Sequence, residues 1–201
     1  QQEVVVENQQ LQAENILNQY EVLKNQLNPH MLFNSLNTLR SLVREDQDKA
    51  QEYIQELSRV LRYTLQGNDS KSVTLRDEME FVSAYIFLLK MRFEDNLSFD
   101  IRIDKQYDDH RLPPMAVQML IENAVKHNEI SDRRPLSIRV YTEGEELVVT
   151  NPVQPKLTAT AGTGVGLANL AKRYHLLYKC EIQITENKYF TVRIPLIPNA
   201  L

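Results

Sequence analysis

Three stretches of this sequence place histidine, asparagine and glycine at spacings that suit phosphoryl chemistry. The first is Gln26-Leu27-Asn28-Pro29-His30-Met31-Leu32-Phe33-Asn34-Ser35-Leu36-Asn37. Upstream of it, Ile16, Tyr20, Leu23 and Leu27 recur at steps of 4, 3 and 4, and downstream Leu32, Leu36, Leu39 and Val43 repeat that rhythm. The two runs do not join in phase, because the step from Leu27 to Leu32 is five residues and contains Pro29. Inside a helix, proline removes a hydrogen bond and crowds the preceding turn, costing about 3 kcal/mol. The resulting change of phase puts His30, Asn34, Asn37 and Ser41 in one row opposite the apolar stripe, so the imidazole is expected on an exposed polar face. A neutral imidazole offers one ring nitrogen as a nucleophile. The competing reading is a capped, kinked helix with an incidental surface histidine.

The second stretch is a helix expected over Pro114–Lys126. Val117, Leu120, Ile121 and Ala124 define its apolar side, and Asn123, Lys126 and His127 cluster on the other. An amide oxygen, an ammonium and an imidazole on one face suit a nucleotide's Mg²⁺ and phosphates, although a solvated polar face has the same composition. The third is Gly162-Thr163-Gly164-Val165-Gly166-Leu167, which runs directly into a helix. Alternating glycines let backbone N–H groups approach an anion, and the helix N-terminus adds a favourable field. The stretch is neither a Walker A loop nor a dinucleotide fingerprint, and a plain mobile loop is its competing reading. His110 and His175 sit among ordinary surface or helix residues, no Cys/His spacing suggests zinc, and Cys180 reads as a small apolar residue.

The elements that must position these residues follow from periodicity. Residues 3–44 read as one long kinked helix, and after Glu45-Asp46-Gln47-Asp48 a second helix carries Ala50, Ile54, Leu57, Leu61 and Leu65 on one face. A lone αα-hairpin supplies half of a four-helix core, so pairing of two copies is expected. Gly67-Asn68-Asp69-Ser70-Lys71-Ser72 is the best linker, giving an N-terminal helical domain over 1–69 and a second domain over 70–201. Thr74-Leu75-Arg76-Asp77 resembles a capping box opening a helix with Met79, Val82, Ile86, Leu89 and Phe93 on one side. Alternation then marks a strand at Leu97–Ile103, a hairpin of Leu136–Tyr141 with Glu146–Thr150, and a second hairpin of Glu181–Glu186 with Tyr189–Pro195. A helix at Leu167–Tyr178 lies between the hairpins. This order argues for an α+β sandwich with its sheet covered on one face.

A chain of 201 residues with a net charge of −4 can bury a core and has no basic stripe for nucleic acid. One cysteine allows no internal disulfide and fits a reducing compartment. No apolar run approaches bilayer length. The sequence starts at Gln1, in mid-pattern, and reads as a cytoplasmic fragment without membrane contact of its own.

Taken together, the motifs resemble those of LytS/YehU-type bacterial sensor histidine kinases. The matching residues are Gln26–Asn37 around the histidine, Leu61-Arg62-Tyr63, Leu120-Ile121-Glu122-Asn123-Ala124-Val125-Lys126-His127 as the N-box, and Gly162–Leu167 as the G-box. The resemblance implies a helical hairpin dimerising into a four-helix bundle, followed by a Bergerat-fold ATP-binding domain like those of histidine kinases and Hsp90. It implies ATP and Mg²⁺ as cofactors, His30 as phosphoacceptor and Asn34 in orientation of the ring or in a phosphatase role. Asn123 would ligate Mg²⁺, Lys126 and His127 would line the phosphates, and Gly162, Thr163, Gly164, Gly166 and Leu167 would wrap the nucleotide. It further implies a response regulator as partner, with a DNA-binding output domain, and a full-length protein anchored in the inner membrane. The family's Asp-x-Gly-x-Gly box is replaced by Val149-Thr150-Asn151-Pro152, so Asn151 is expected to meet the adenine amine through an amide oxygen, and only ten residues separate it from Gly162. A catalytically silent dimeric scaffold and an ATP-driven conformational switch are the alternatives to a kinase.

Overall fold

A computed structural model of the chain describes residues 2–26, 29–66, 70–158 and 164–199, with side chains at all of these except 2 and 19–26. Leu27, the linker positions 67–69, Gly162 and Thr163 lie outside the described residues, as do the side chains of Tyr20 and Leu23. The chain divides into two compact units, Gln1–Gln66 and Gly67–Leu201.

The first unit is helical: α1 (Gln2–Gln26), α2 (Pro29–Glu45) and α3 (Gln47–Gln66). α2 is described from Pro29 onward, and the kink expected around that proline falls partly on residues 27 and 28, outside the described residues. α2 and α3 form the hairpin, and Asp46 sits at the corner between them. Its N–H donates to the Leu42 carbonyl at 2.8 Å, and its carboxylate accepts from the Lys49 N–H at 3.2 Å.

The faces that pack within one copy overlap only in part with those the periodicity selected, sharing Ala50 and Leu57 on α3 and Leu32 and Leu39 on α2. On α3 the buried row is Ala50, Tyr53, Leu57, Val60 and Thr64, while Ile54 and Leu65 stay 47 % and 43 % exposed. On α2, Ser35 is buried and Leu32, Leu39 and Leu42 are half-buried, whereas Leu36 and Val43 are 54 % and 52 % exposed. Each helix therefore carries two adjacent apolar rows. One is used inside the hairpin and the other is left outward. Thr64 is tolerated in the buried row because its hydroxyl donates to the Val60 carbonyl at 2.7 Å.

The second unit is an α+β sandwich. Its strands are β1 (Val73–Thr74), β2 (Leu97–Arg102), β3 (Arg111–Leu112), β4 (Leu136–Glu143), β5 (Glu146–Pro152), β6 (Gln183–Glu186) and β7 (Tyr189–Pro195). Its helices are α4 (Leu75–Phe93), α5 (Ala116–His127) and α6 (Val165–Tyr178). The main sheet runs β2-β4-β5-β7-β6, with β2 parallel to β4 and the other neighbours antiparallel. β1 and β3 make a separate two-stranded ribbon. Period-two alternation sorts the sheet's faces. Leu136, Ile138, Val140, Leu147, Val149, Val192 and Ile194 are buried, while Ser137 and Arg139 point to solvent. Val140, Val149 and Val192 are successive register partners, a cross-strand row that would contribute about 1.5–3 kcal/mol per fully buried side chain. The β4–β5 turn needs a positive φ only at its first central residue, and Gly144 supplies it at 60°.

α4 is more deeply buried than a single stripe predicts. Leu75, Phe81, Val82, Ala84, Tyr85, Leu88 and Leu89 are all inside, because α5, β1 and β2 each pack against it, while Met79, Ile86 and Phe93 are only half-buried. Thr74 caps this helix, its hydroxyl accepting from the Asp77 N–H at 3.2 Å. α4 also buries a charge. Glu78 is 0 % exposed, and its carboxylate accepts from the Met115 N–H at 3.0 Å and the Val117 N–H at 3.3 Å, the first turn of α5. The preceding residue of α5 is Met115 at φ 63°, which has no side-chain cap of its own, so a residue 37 positions away fills that role.

Replacing Glu78 by Ala strands two N–H groups in the interior and is expected to cost about 3 kcal/mol. Thr74→Ala, at a partly exposed cap, should cost about 1 kcal/mol. Hydrogen exchange of the α5 amides reads this directly, and protection in Glu78→Ala equal to that of the unsubstituted chain would remove the capping role.

Candidate nucleotide-binding cleft

α5 presents its expected apolar side, Val117, Leu120, Ile121 and Ala124, to the core. Its other side borders a cleft of about 410 Å³ in the second unit. Asn123, Ala124, His127 and Asn128 form the α5 wall. Val153, Pro155, Lys156 and Thr158 come from the segment after β5, Gly164 and Leu167 from the start of α6, and Glu186 and Phe190 from the β6–β7 hairpin. Four of the expected nucleotide-binding residues, Asn123, His127, Gly164 and Leu167, therefore meet around one space although up to 44 positions separate them.

The others are placed differently. Lys126 is exposed and is not part of the cleft wall. Asn151 is 2 % exposed and also off the wall, with its Nδ2 donating to the Pro152 carbonyl at 2.8 Å. Its register partner on β7 is Phe190, which does line the cleft. The two described glycines of the Gly-rich stretch divide the work. Gly164 takes φ 63° at the N-terminus of α6 and lines the space, a conformation that a side chain disfavours. Gly166 instead faces α5, where an added Cβ would meet Met119 Sδ at 3.4 Å, an ordinary contact.

Several wall residues escape sequence reading. Phe190 and Glu186 belong to strands legible only as alternation. Asn128 carried one available signal, an asparagine at the end of a helix. Gln154, which is off the wall but next to it in the chain, carried none, and it becomes visible only through its tertiary hydrogen bonds.

Among the described residues that line the cleft, the charged side chains are Lys156 and Glu186. Burial first, then Lys126 and Lys156, hold the His127 imidazole below its ordinary range, so near neutral pH it is a neutral ring able to donate or accept. Among the described residues no group of three or more His, Cys, Asp and Glu is assembled for a metal ion. Mg²⁺ shared with phosphates asks less, one or two protein oxygens with water completing the shell, and the half-buried Asn123 amide on the wall meets that need.

In the first unit, His30 is exposed near the start of α2. Asn34, one turn on, brings its Nδ2 to 3.1 Å from His30 Nδ1. The polar row is as expected, with Asn37 and Ser41 also exposed.

The lowered folded value for His127 has a definite sign in stability. The unfolded chain takes up the proton more readily, so stability falls as pH drops from about 6.5 towards the folded value and is unaffected by this group above that window. His127→Gln should therefore lose less stability than the unsubstituted chain between pH 7 and pH 5.5 in urea unfolding. An NMR midpoint for His127 at or above about 6.5 would contradict the assigned environment.

A histidine kinase family model matches residues 18–97, which include His30 and the whole of α3 and α4. Sensor protein LytS of Streptococcus agalactiae serotype V is 34 % identical over 174 residues, covering 78 % of this chain and 29 % of that protein. Sensor histidine kinase BtsS of Escherichia coli strain K12 is 33 % identical over 185 residues, covering 87 % and 33 %. The Acinetobacter baumannii histidine kinase AdeS aligns in structure with a TM-score of 0.41 and 15 % identity, over 78 % of this chain and 83 % of that one. The chain spans about a third of the length of the curated relatives it matches. With the family model at its N-terminal half and two sensor kinases matched across most of its length, the chain belongs to the sensor histidine kinases of the LytS/YehU type.

Proposed function

We propose that this chain is the phosphoacceptor and ATP-binding portion of a two-component sensor kinase, which phosphorylates His30 from ATP and passes the phosphoryl group to an aspartate of a response regulator. The observation that carries this reading is the meeting of Asn123, His127, Gly164 and Leu167 around one cleft, in a chain that also presents His30 on an exposed helical face. Residues 1–69 act as the dimerisation and phosphoacceptor domain and 70–201 as the ATP-binding domain. Relatives named as sensor kinases support it.

A lone pair on the His30 ring forms the P–N bond while the bond from the γ-phosphorus to the bridging oxygen breaks, and ADP leaves with that electron pair. Such a reaction needs chiefly alignment and charge neutralisation from the protein. Asn34 supports the alignment. With its oxygen turned towards the ring it accepts Nδ1–H and leaves Nε2 as the nucleophile, whereas with its nitrogen turned inward it donates to Nδ1 and places the ring proton on Nε2. Only the first orientation leaves a lone pair for attack, on Nε2, because in the second Nδ1 is occupied by the hydrogen bond and Nε2 carries the proton; the same side chain could hold a water for dephosphorylating the regulator. Asn123 would ligate Mg²⁺, which when bound neutralises phosphate charge. His127 and Lys126 add hydrogen bonding and positive potential at the phosphates, Gly162, Thr163, Gly164, Gly166 and Leu167 enclose the nucleotide, and Asn151 sits beside Phe190 on the adenine side.

The outward rows Leu36/Val43 and Ile54/Leu65 are the surface on which a second copy would complete a four-helix bundle. The regulator would carry a DNA-binding output domain, and a region outside this chain would anchor the protein in the inner membrane.

The test is incubation with ATP labelled at the γ-phosphate. Protein label that is acid-labile and base-stable, and absent from His30→Ala and Asn123→Ala, is expected. Nucleotide binding without protein label, or label that persists in His30→Ala, contradicts the proposal. For the bundle, Leu36→Glu combined with Ile54→Glu should shift the sedimentation of the chain from dimer to monomer, and a dimer that survives both changes would place its interface elsewhere.

A further inference from the structure

The segment that follows β5 is tied to the end of α5 by a pair of buried amides whose polar atoms are taken up by the protein itself. Asn128 is 6 % exposed and uses both ends of its amide. Nδ2 donates to the Ala124 carbonyl at 2.8 Å, closing the last turn of α5, and Oδ1 accepts from the Gln154 N–H at 2.9 Å. The Glu129 N–H returns a bond to the Gln154 carbonyl at 2.8 Å, and Asn128 bridges Pro155 in antiparallel fashion. The Gln154 side chain, 8 % exposed, turns away from the cleft, and its Nε2 donates to the carbonyls of Glu129, Arg134 and Pro135 at 2.7, 3.0 and 3.3 Å. An amide nitrogen has two hydrogens, so one of these bonds is shared. Five polar contacts thus fix residue 154, and the chain leaves it directly into the cleft wall.

Two positions beyond this clamp, Lys156 lines the cleft with Asn123 and His127. Its ammonium charge acts on the His127 ring, which lines the same cleft. Among the described residues no carboxylate forms an ion pair with it. Both lysines are exposed, and Lys126, the cation the sequence selected, is off the wall. An ammonium without a carboxylate partner, carried on a rigidly fixed backbone beside an amide and an imidazole, is suited to a polyphosphate and not to a neutral ligand.

We propose that Lys156 is a phosphate-binding residue of this cleft, and that Asn128 and Gln154 are positioning residues that hold it there. The inference rests on the nucleotide reading above and deepens it: the cation on the wall comes from the β5 side of the cleft, and α5 contributes the amide and the neutral ring.

The test is the affinity of the whole 201-residue chain for ATP, ADP and adenosine at fixed ionic strength, by calorimetry with NMR titration for the weak ligand. Lys156→Met should lose about ten-fold in ATP affinity while adenosine binding is unchanged, and Lys156→Arg should restore most of the loss. Lys126→Met should lose less than Lys156→Met. Gln154→Ala should reproduce the Lys156→Met loss, and combining the two should add nothing further, which a merely destabilised fold would not do. ATP affinity unchanged in Lys156→Met, or an equal loss for ATP and adenosine, overturns the assignment and leaves the nucleotide reading standing. A chain that binds none of the three ligands before any substitution overturns both.

Discussion

The second unit depends on a carboxylate with no access to water. A buried charge is costly unless every oxygen finds a donor, and Glu78 finds two in the opening turn of α5, where the helix field also favours negative charge. That pair of bonds fixes where α5 begins, and the position of Asn123 and His127 along the cleft follows from it. At the other end of α5 the Asn128 amide plays the complementary part, satisfying a terminal carbonyl and reaching the strand-β5 side. At the start of α4 the Thr74 hydroxyl accepts from the Asp77 N–H. Apolar burial makes the sandwich stable, but polar groups at helix ends decide where its two walls stand.

Much of this was legible in the residues. The polar and apolar sides of α5 follow from 3.6-residue spacing, the two antiparallel hairpins follow from alternation around short turns, and the start of α6 follows from glycine. What could not be read were relations across distance. Glu78 looks like any surface glutamate on an amphipathic helix until α5 is laid over it, and Gln154 looks like a loop residue until three carbonyls gather on its side chain. Asn151 stands where the strand pattern put it, but its amide turns to the next peptide. Lys126 and Lys156 are equally lysine in sequence, and only the fold puts one of them on the wall.

The helical hairpin shows a different limit. Both of its long helices have enough apolar residues for two contact faces, and periodicity alone cannot say which is used within a copy. The row through Tyr53, Leu57 and Val60 is the internal one, and the row through Ile54 and Leu65 is left over. A helix designed for one partner rarely carries both. The polar row of His30, Asn34, Asn37 and Ser41 is then what remains for chemistry.

The parallel pairing of β2 with β4 has a mechanical meaning. Two adjacent parallel strands need a crossover between them, and here the crossover contains α5. The helix bearing the asparagine and histidine of the cleft is thus joined to one sheet through the residues on either side of it, 103–115 and 128–135. With the Glu78 bonds at its start and the Asn128 amide at its end, α5 serves as the fixed jaw of a vice.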